Sequence, residues 1–128
     1  MLKVATYIGP SPIDGNGCFT AQDIPEGATV FSLDPSVDYI LTEEMADMSP
    51  NWFRLVLEKY GWREASMRFM AGDNARFINH SWTPNLAIDR RTAHGDMVAA
   101  CDIPAGSELT ENYTSYDDDG PLYRERLR

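Results

Sequence analysis

The chain has 128 residues, 43% of them hydrophobic, which is room for one core and one domain. Its 20 acids against 11 bases give a net charge of −9, so direct nucleic-acid binding, which draws its affinity from Lys and Arg displacing phosphate counterions, is disfavoured. No apolar run reaches the length of a membrane helix, and residues 1–7 lack the features of a secretory signal; the expectation is a protein that is not secreted and has no membrane partner, cytoplasmic, or nuclear in a eukaryotic or viral setting.

Alternation of apolar and polar residues predicts strands over residues 2–8 and 18–21, the second entered through the turn Gly15-Asn16-Gly17. Ala21-Gln22-Asp23-Ile24-Pro25-Glu26-Gly27 recurs as Ala100-Cys101-Asp102-Ile103-Pro104-Ala105-Gly106. Each copy reads as strand, tight turn, strand, with Pro second and Gly fourth in the turn. A further strand is expected over 37–41. Residues 42–72 read as a helical insert. A short helix is expected over 42–46, then a longer one starting at Ser49 as N-cap with Pro50 in the first helical position. Phe53, Val56, Leu57 and Tyr60 fall on one apolar face, read as core packing, and Gly61 ends the helix. Strands over 86–91 and 97–100 form a hairpin turned by His94-Gly95-Asp96, with His94 idle in the turn. An acidic turn at Asp117-Asp118-Asp119-Gly120 leads to a terminal helix, so that 117–128 forms a tail. Cys18 and Cys101, 83 residues apart, read as reduced packing thiols.

Two segments do not read as ordinary core. Arg76-Phe77-Ile78-Asn79-His80-Ser81 is followed 27 residues later by Glu108-Leu109-Thr110-Glu111-Asn112-Tyr113. Each puts polar side chains at the end of an apolar run, where they reach a ligand without interrupting the core. Together they resemble the two signature motifs of the SET-domain protein-lysine methyltransferases, and Gly15-Asn16-Gly17-Cys18-Phe19 resembles that family's first, glycine-containing motif. The resemblance spans residues 4–116. It implies a mainly β SET (β-clip) fold of short strands with a small helical insert and a knot-like C-terminal segment, in a single domain over 1–128. It also implies an enzyme that uses S-adenosylmethionine to methylate a lysine of a basic protein or peptide, histone-like or otherwise. An acidic surface suits such a partner.

By resemblance, Gly15, Asn16, Gly17, Cys18, Arg76, Phe77, Asn79, His80 and Tyr113 surround the cofactor. The Asn79 side chain would hold its amino group and the His80 backbone its adenine. Tyr113 is the catalytic phenol, and Tyr116 and Tyr39 are candidates for the wall of the lysine channel. The chain departs from the family pattern in three places. Trp82 stands where a zinc-binding cysteine is common, and the tail has no cysteine. No metal is therefore expected, and chelation should change neither folding nor activity, as metal analysis and unfolding with EDTA will test. Covering the adenine then falls to the helix carrying Leu122 and Tyr123, or to a second subunit in a homodimer. Glu111 occupies the position, two before the catalytic tyrosine, that commonly carries Phe or Tyr and tunes the number of methyls added. Ser36-Val37-Asp38-Tyr39 replaces a tyr-x-gly-glu segment before the insert. The alternatives are a non-catalytic SET-like module that binds a basic peptide or the cofactor, and a β-rich sugar- or antifreeze-type module with similar turns.

Overall fold

The two Ile-Pro-x-Gly repeats face each other at the centre of the fold. In the computed structural model, which describes residues 1–93 and 95–118, Ile24 and Ile103 form an antiparallel bridge and exchange both backbone hydrogen bonds at 2.8 Å. The relation is reciprocal in the side chains too: Asp23 accepts from Ala105 N–H and Asp102 from Glu26 N–H, each at 2.8 Å. In each turn the Pro carbonyl accepts from the residue three ahead, Ala28 or Ser107, at 3.1 Å. Pro is thus first and Gly third, one position from the expected register. The reason is the positive φ that this turn demands at its third residue, +83° at Gly27 and +88° at Gly106.

Around this centre the strands are short. β1 (Thr6–Pro10) and β2 (Asn16–Thr20) form an antiparallel hairpin. β1 starts later than the alternation predicted, because Leu2 instead bridges Phe31 and gives its N–H to Asp73 Oδ2 at 2.8 Å. β3 (Thr29–Phe31) lies beside a strand from the second half of the chain, and β4 (Tyr39–Thr42) leads into the insert.

The insert opens with α1 (Glu43–Met48), capped by Thr42 Oγ1, which accepts from Met45 N–H at 3.1 Å. α2 (Asn51–Tyr60) follows. Ser49 is not its N-cap: Ser49 closes α1, donating its hydroxyl to Met45 O at 2.8 Å, and Pro50 caps α2 through its carbonyl. The expected face does pack. Phe53, Val56 and Tyr60 flank buried Leu57, Met70 and Ala46 in a satellite core. Gly61 ends α2 in an extended conformation, and a Cβ there would lie 2.6 Å from both Leu57 O and Phe69 O.

The second half of the insert is not helical. β5 (Trp62–Glu64) and β6 (Met67–Met70) pair antiparallel, and β6 also pairs with β4. The two turn residues, Ala65 and Ser66, have φ of 50° and 63°. This left-handed turn suits Asn-Gly far better than Ala-Ser, so the sequence carries no hairpin signal there.

A 3-10 turn, Asn74–Phe77, then delivers β7 (Asn79–His80). β8 (Leu86–Asp89) and β9 (Asp96–Ala99) form the expected hairpin, and β9 sits between β8 and β3. The hairpin closes through a longer loop than a tight turn, with Asp89 opposite Asp96. His94, Asp119 and Gly120 of the acidic turn, and the expected terminal helix with Leu122 and Tyr123 lie outside the described residues. β10 (Thr110–Glu111) runs parallel to β7, and a 3-10 turn over Tyr113–Ser115 follows it. The main core gathers Cys18, Val30, Leu86 and Leu109 around Ile24 and Ile103. Cys101 is exposed rather than packed, which corrects the expectation of two core thiols.

Candidate functional site

Parallel pairing of β7 with β10 brings the two motifs side by side, with Asn79 opposite Thr110 and His80 opposite Glu111. Asn85 locks this arrangement from the turn after β7. Its Nδ2 donates to Glu108 O at 2.8 Å and its Oδ1 accepts from Thr110 N–H at 2.9 Å. Sequence reading missed Asn85, since one Asn after Thr-Pro carries only a turn signal.

Glu108, whose side chain had no assigned part, ties the glycine loop to the first motif. Its Oε1 accepts from Ser11 Oγ at 2.7 Å and from Asn79 Nδ2 at 3.0 Å. That carboxylate fills the space where a Cβ on Gly17 would stand. Asn79 Nδ2 also points at the Asp14 and Asn16 carbonyls, at 3.1 and 3.3 Å. Among the described residues every bond of the Asn79 side chain is thus made by its nitrogen, which leaves Oδ1 as an acceptor for a ligand.

Tyr113 stands at the junction. Its N–H donates to His80 Nδ1 at 3.2 Å, and its hydroxyl donates to the Ile78 carbonyl at 2.5 Å. The His80 ring lies between Trp82 and Tyr113, with centroids 4.3 and 5.3 Å away. Because Nδ1 accepts, Nε2 carries the proton of the neutral ring; it is buried and finds no partner among the described residues. Burial holds the imidazole pKa below its usual range.

The other expected residues are spread more widely. Gly15 turns with φ +46° and has open space where a side chain would project. Cys18 is fully buried, its carbonyl accepts from Leu109 N–H at 2.8 Å, and burial pushes its thiol up to about 11. Arg76 is exposed, its guanidinium over the Phe77 ring at 5.1 Å, and it makes no ion pair among the described residues. Tyr39 is 44% exposed, packs on Phe53 at 5.5 Å and takes no part in the cavity described next. Among the described residues no cluster of three or more His, Cys, Asp or Glu could hold a metal ion.

Behind Ile78 opens a cavity of about 460 Å³. Trp62, stacked on Phe69 at 5.5 Å, and Tyr116, edge-on to Trp62 at 5.8 Å, line one side. Tyr116 is thus part of the cavity wall. Glu111 lines the cavity with it, and the Tyr116 hydroxyl donates to Glu111 Oε1 at 2.6 Å.

Burial pushes the Glu111 carboxyl up to about 7, against an ordinary 4.5, with the Tyr116 hydrogen bond opposing and nearby Asp117 assisting. A folded pKa above the unfolded value means that the folded state holds the proton more tightly. The associated stability is complete below pH 4.5 and is lost as pH rises through 7. Glu111→Gln should therefore be more stable than the parent at pH 8, with the difference shrinking towards pH 4. Urea unfolding at both pH values checks this, and an equal difference at both would refute it.

Comparison with known proteins places this arrangement. The SET domain family model matches residues 15–114, and the chain belongs to that family. Mouse histone-lysine N-methyltransferase NSD3 is 50% identical over 46 residues, covering 33% of this chain and 3% of that protein. The human H3 lysine-36 specific histone-lysine N-methyltransferase is 37% identical over 67 residues, 49% of this chain and 2% of that protein. The chain thus spans only a small part of the curated relatives' length.

Among solved structures, a putative histone methyltransferase of Plasmodium falciparum superposes with a TM-score of 0.59 at 18% identity, covering 85% of this chain and 92% of that one. A humanized Chaetomium thermophilum Polycomb Repressive Complex 2 gives 0.63 at 21% identity, covering 93% of this chain and 16% of that one. These likenesses show the mainly β SET fold. Among the described residues no helix is long and apolar enough to cross a membrane.

Proposed function

We propose that this domain methylates a lysine side chain of a basic protein or peptide, histone-like in composition, with S-adenosylmethionine as methyl donor. The observation that carries the reading is the register of β7 against β10, which joins Asn79, His80 and Tyr113 and connects them to an apolar cavity through two of its lining residues, Ile78, whose carbonyl takes the Tyr113 hydroxyl, and Glu111, which pairs with His80. The groups present fit the cofactor's chemistry. Asn79 Oδ1 offers an acceptor for its ammonium, exposed Arg76 a cation for its carboxylate, and half-exposed Trp82 a flat surface for its base. Exposed Gly15, with open space where a side chain would project, leaves its backbone open to approach. When bound, the cofactor supplies a methyl group on a positively charged sulfur.

The chain's own residues prepare the acceptor. The cavity strips water from the lysine, which favours the neutral amine. Tyr113 donates its hydroxyl proton to the carbonyl of Ile78, a cavity residue, and in this reading the phenol oxygen is what helps align the incoming amine. The acidic surface draws in a basic substrate, an attraction that weakens as salt is added.

Titration calorimetry with S-adenosylmethionine, followed by transfer of labelled methyl to core histones and to a basic lysate fraction, tests the reading. Asn79→Ala removes the acceptor for the cofactor's ammonium and frees the glycine loop. It should weaken cofactor binding by about 1.5–3 kcal/mol; unchanged affinity would remove Asn79 from the site. A wild-type protein that binds the cofactor but methylates nothing would favour a binding module instead.

A further inference from the structure

The acid of the cavity, Glu111, stands among mostly apolar walls with a single side-chain hydrogen bond, from Tyr116. Glu111 and Thr110 alternate along β10. Thr110 is buried and bonded to Asn85, while Glu111 lines the cavity on the other side. Around it the walls are apolar, with Trp62, Met67, Phe69 and Ile78. Glu111 Oε1 takes one hydrogen bond, from Tyr116, and Oε2 has no partner among the described residues. A carboxyl held in such a place costs free energy unless a ligand completes it.

We infer that Glu111 receives the ammonium of a lysine side chain in this cavity through Oε2 and takes its proton, leaving the amine neutral. The inference deepens the methyl-transfer reading and rests on it for the identity of the amine. One N–H bond of the ammonium breaks, its electron pair stays on nitrogen, and the proton passes to Oε2. Tyr116 keeps its bond to Oε1, and the carboxyl returns the proton to solvent when the cavity empties.

In water this transfer is uphill by about 6 pK units, from an amine near 10.4 to a carboxyl near 4.3. The buried Glu111 carboxyl at about 7 narrows the gap to roughly 3, and the apolar walls lower the amine further. Other charged or titratable groups stand nearby. Asp117 and burial raise the carboxyl, and the Tyr116 hydroxyl lowers it. Glu64 and Arg90 also line the cavity; Arg90 Nη2 donates to Ser115 O at 2.8 Å. On β5 and β6, Arg63 and Arg68 face Glu43 at 3.1 and 3.9 Å.

The test uses the whole chain with its glutamate carboxyls labelled with carbon-13, n-butylammonium chloride as the probe, and no cofactor. The Glu111 signal, identified by its loss in Glu111→Gln, should titrate near neutrality and move when the probe is added. Glu111→Gln should weaken probe binding by roughly tenfold or more. Tyr116→Phe, which removes the bond that stabilises the carboxylate, should raise the titration midpoint. Circular dichroism on both variants reports whether they fold. In the methyl-transfer assay, Glu111→Gln should move the rising limb of the pH profile upward by about one unit or more.

A carboxyl that titrates near its ordinary value, or a probe that binds Glu111→Gln as well as the parent, overturns the inference. Methyl transfer with an unchanged pH profile in Glu111→Gln sinks the inference alone and leaves the enzyme reading standing. Probe binding at Glu111 in a protein that transfers no methyl group upholds the amine site and rejects the enzyme.

Discussion

Tyr113→Phe is expected to lower methyl-transfer turnover by more than about tenfold while the protein remains folded and keeps most of its cofactor affinity. The ring is retained, so its contact with His80 and the backbone bond from Tyr113 N–H to His80 Nδ1 both survive. What disappears is the hydroxyl, together with its 2.5 Å bond to the Ile78 carbonyl. Leaving that carbonyl short of one partner costs about 1 kcal/mol of stability, a tolerable loss. The effect on rate is larger, because the lost oxygen would act mainly on the aligned amine at the transition state. Each 1.4 kcal/mol lost there is about a factor of ten. Single-turnover kinetics together with calorimetry on the variant separates the two effects. Near-normal turnover would show that Tyr113 is not the aligning phenol, and Tyr116, with its hydroxyl on Glu111, would be tested next.

Gly72→Ala is expected to destabilise the fold by about 3 kcal/mol or more, although the residue is exposed. A Cβ at this position would overlap the Val37 carbonyl, which belongs to the backbone and cannot rotate away. Relief requires moving one of the two segments. Their connection is Asp38, a buried carboxylate that accepts from Gly72 N–H at 3.0 Å and from Asp34 N–H at 2.9 Å. Shifting Gly72 strains this charged hub as well, and a loss of that size is a substantial fraction of the stability of a small domain. Thermal unfolding should show a midpoint lower by roughly 10 °C. A variant within about 1 kcal/mol of the parent would mean that the two segments separate more easily than their packing suggests.

Local signals carried a large part of this protein. The face of Phe53, Val56, Leu57 and Tyr60 follows from helical spacing, and it packs as spacing demands. The Ile-Pro-x-Gly repeats announce tight turns, because Pro fixes its own φ and Gly reaches the positive φ that such a turn demands. The two motifs were legible as polar groups ending apolar runs, and their order suggested one site. Where local signals misled, a neighbouring element had changed the balance. Ser49 is drawn back to close α1, and Ala65 and Ser66 accept a left-handed turn because β6 is held on its other edge by β4.

By itself, then, the sequence determined the turns, the amphipathic helix and the chemical groups of the two motifs, since each depends on residues close together in the chain. Only the tertiary structure decided which of those groups meet. Asn85 locks Glu108 and Thr110, Glu108 braces Gly17 and Asn79, and Tyr116 reaches Glu111 across a cavity that Trp62 helps to wall. Glu111 shows the difference most clearly. In the chain it is one acid among 20. Apolar walls brought from distant strands remove its water, and this burial turns an ordinary carboxylate into a group that titrates near neutrality.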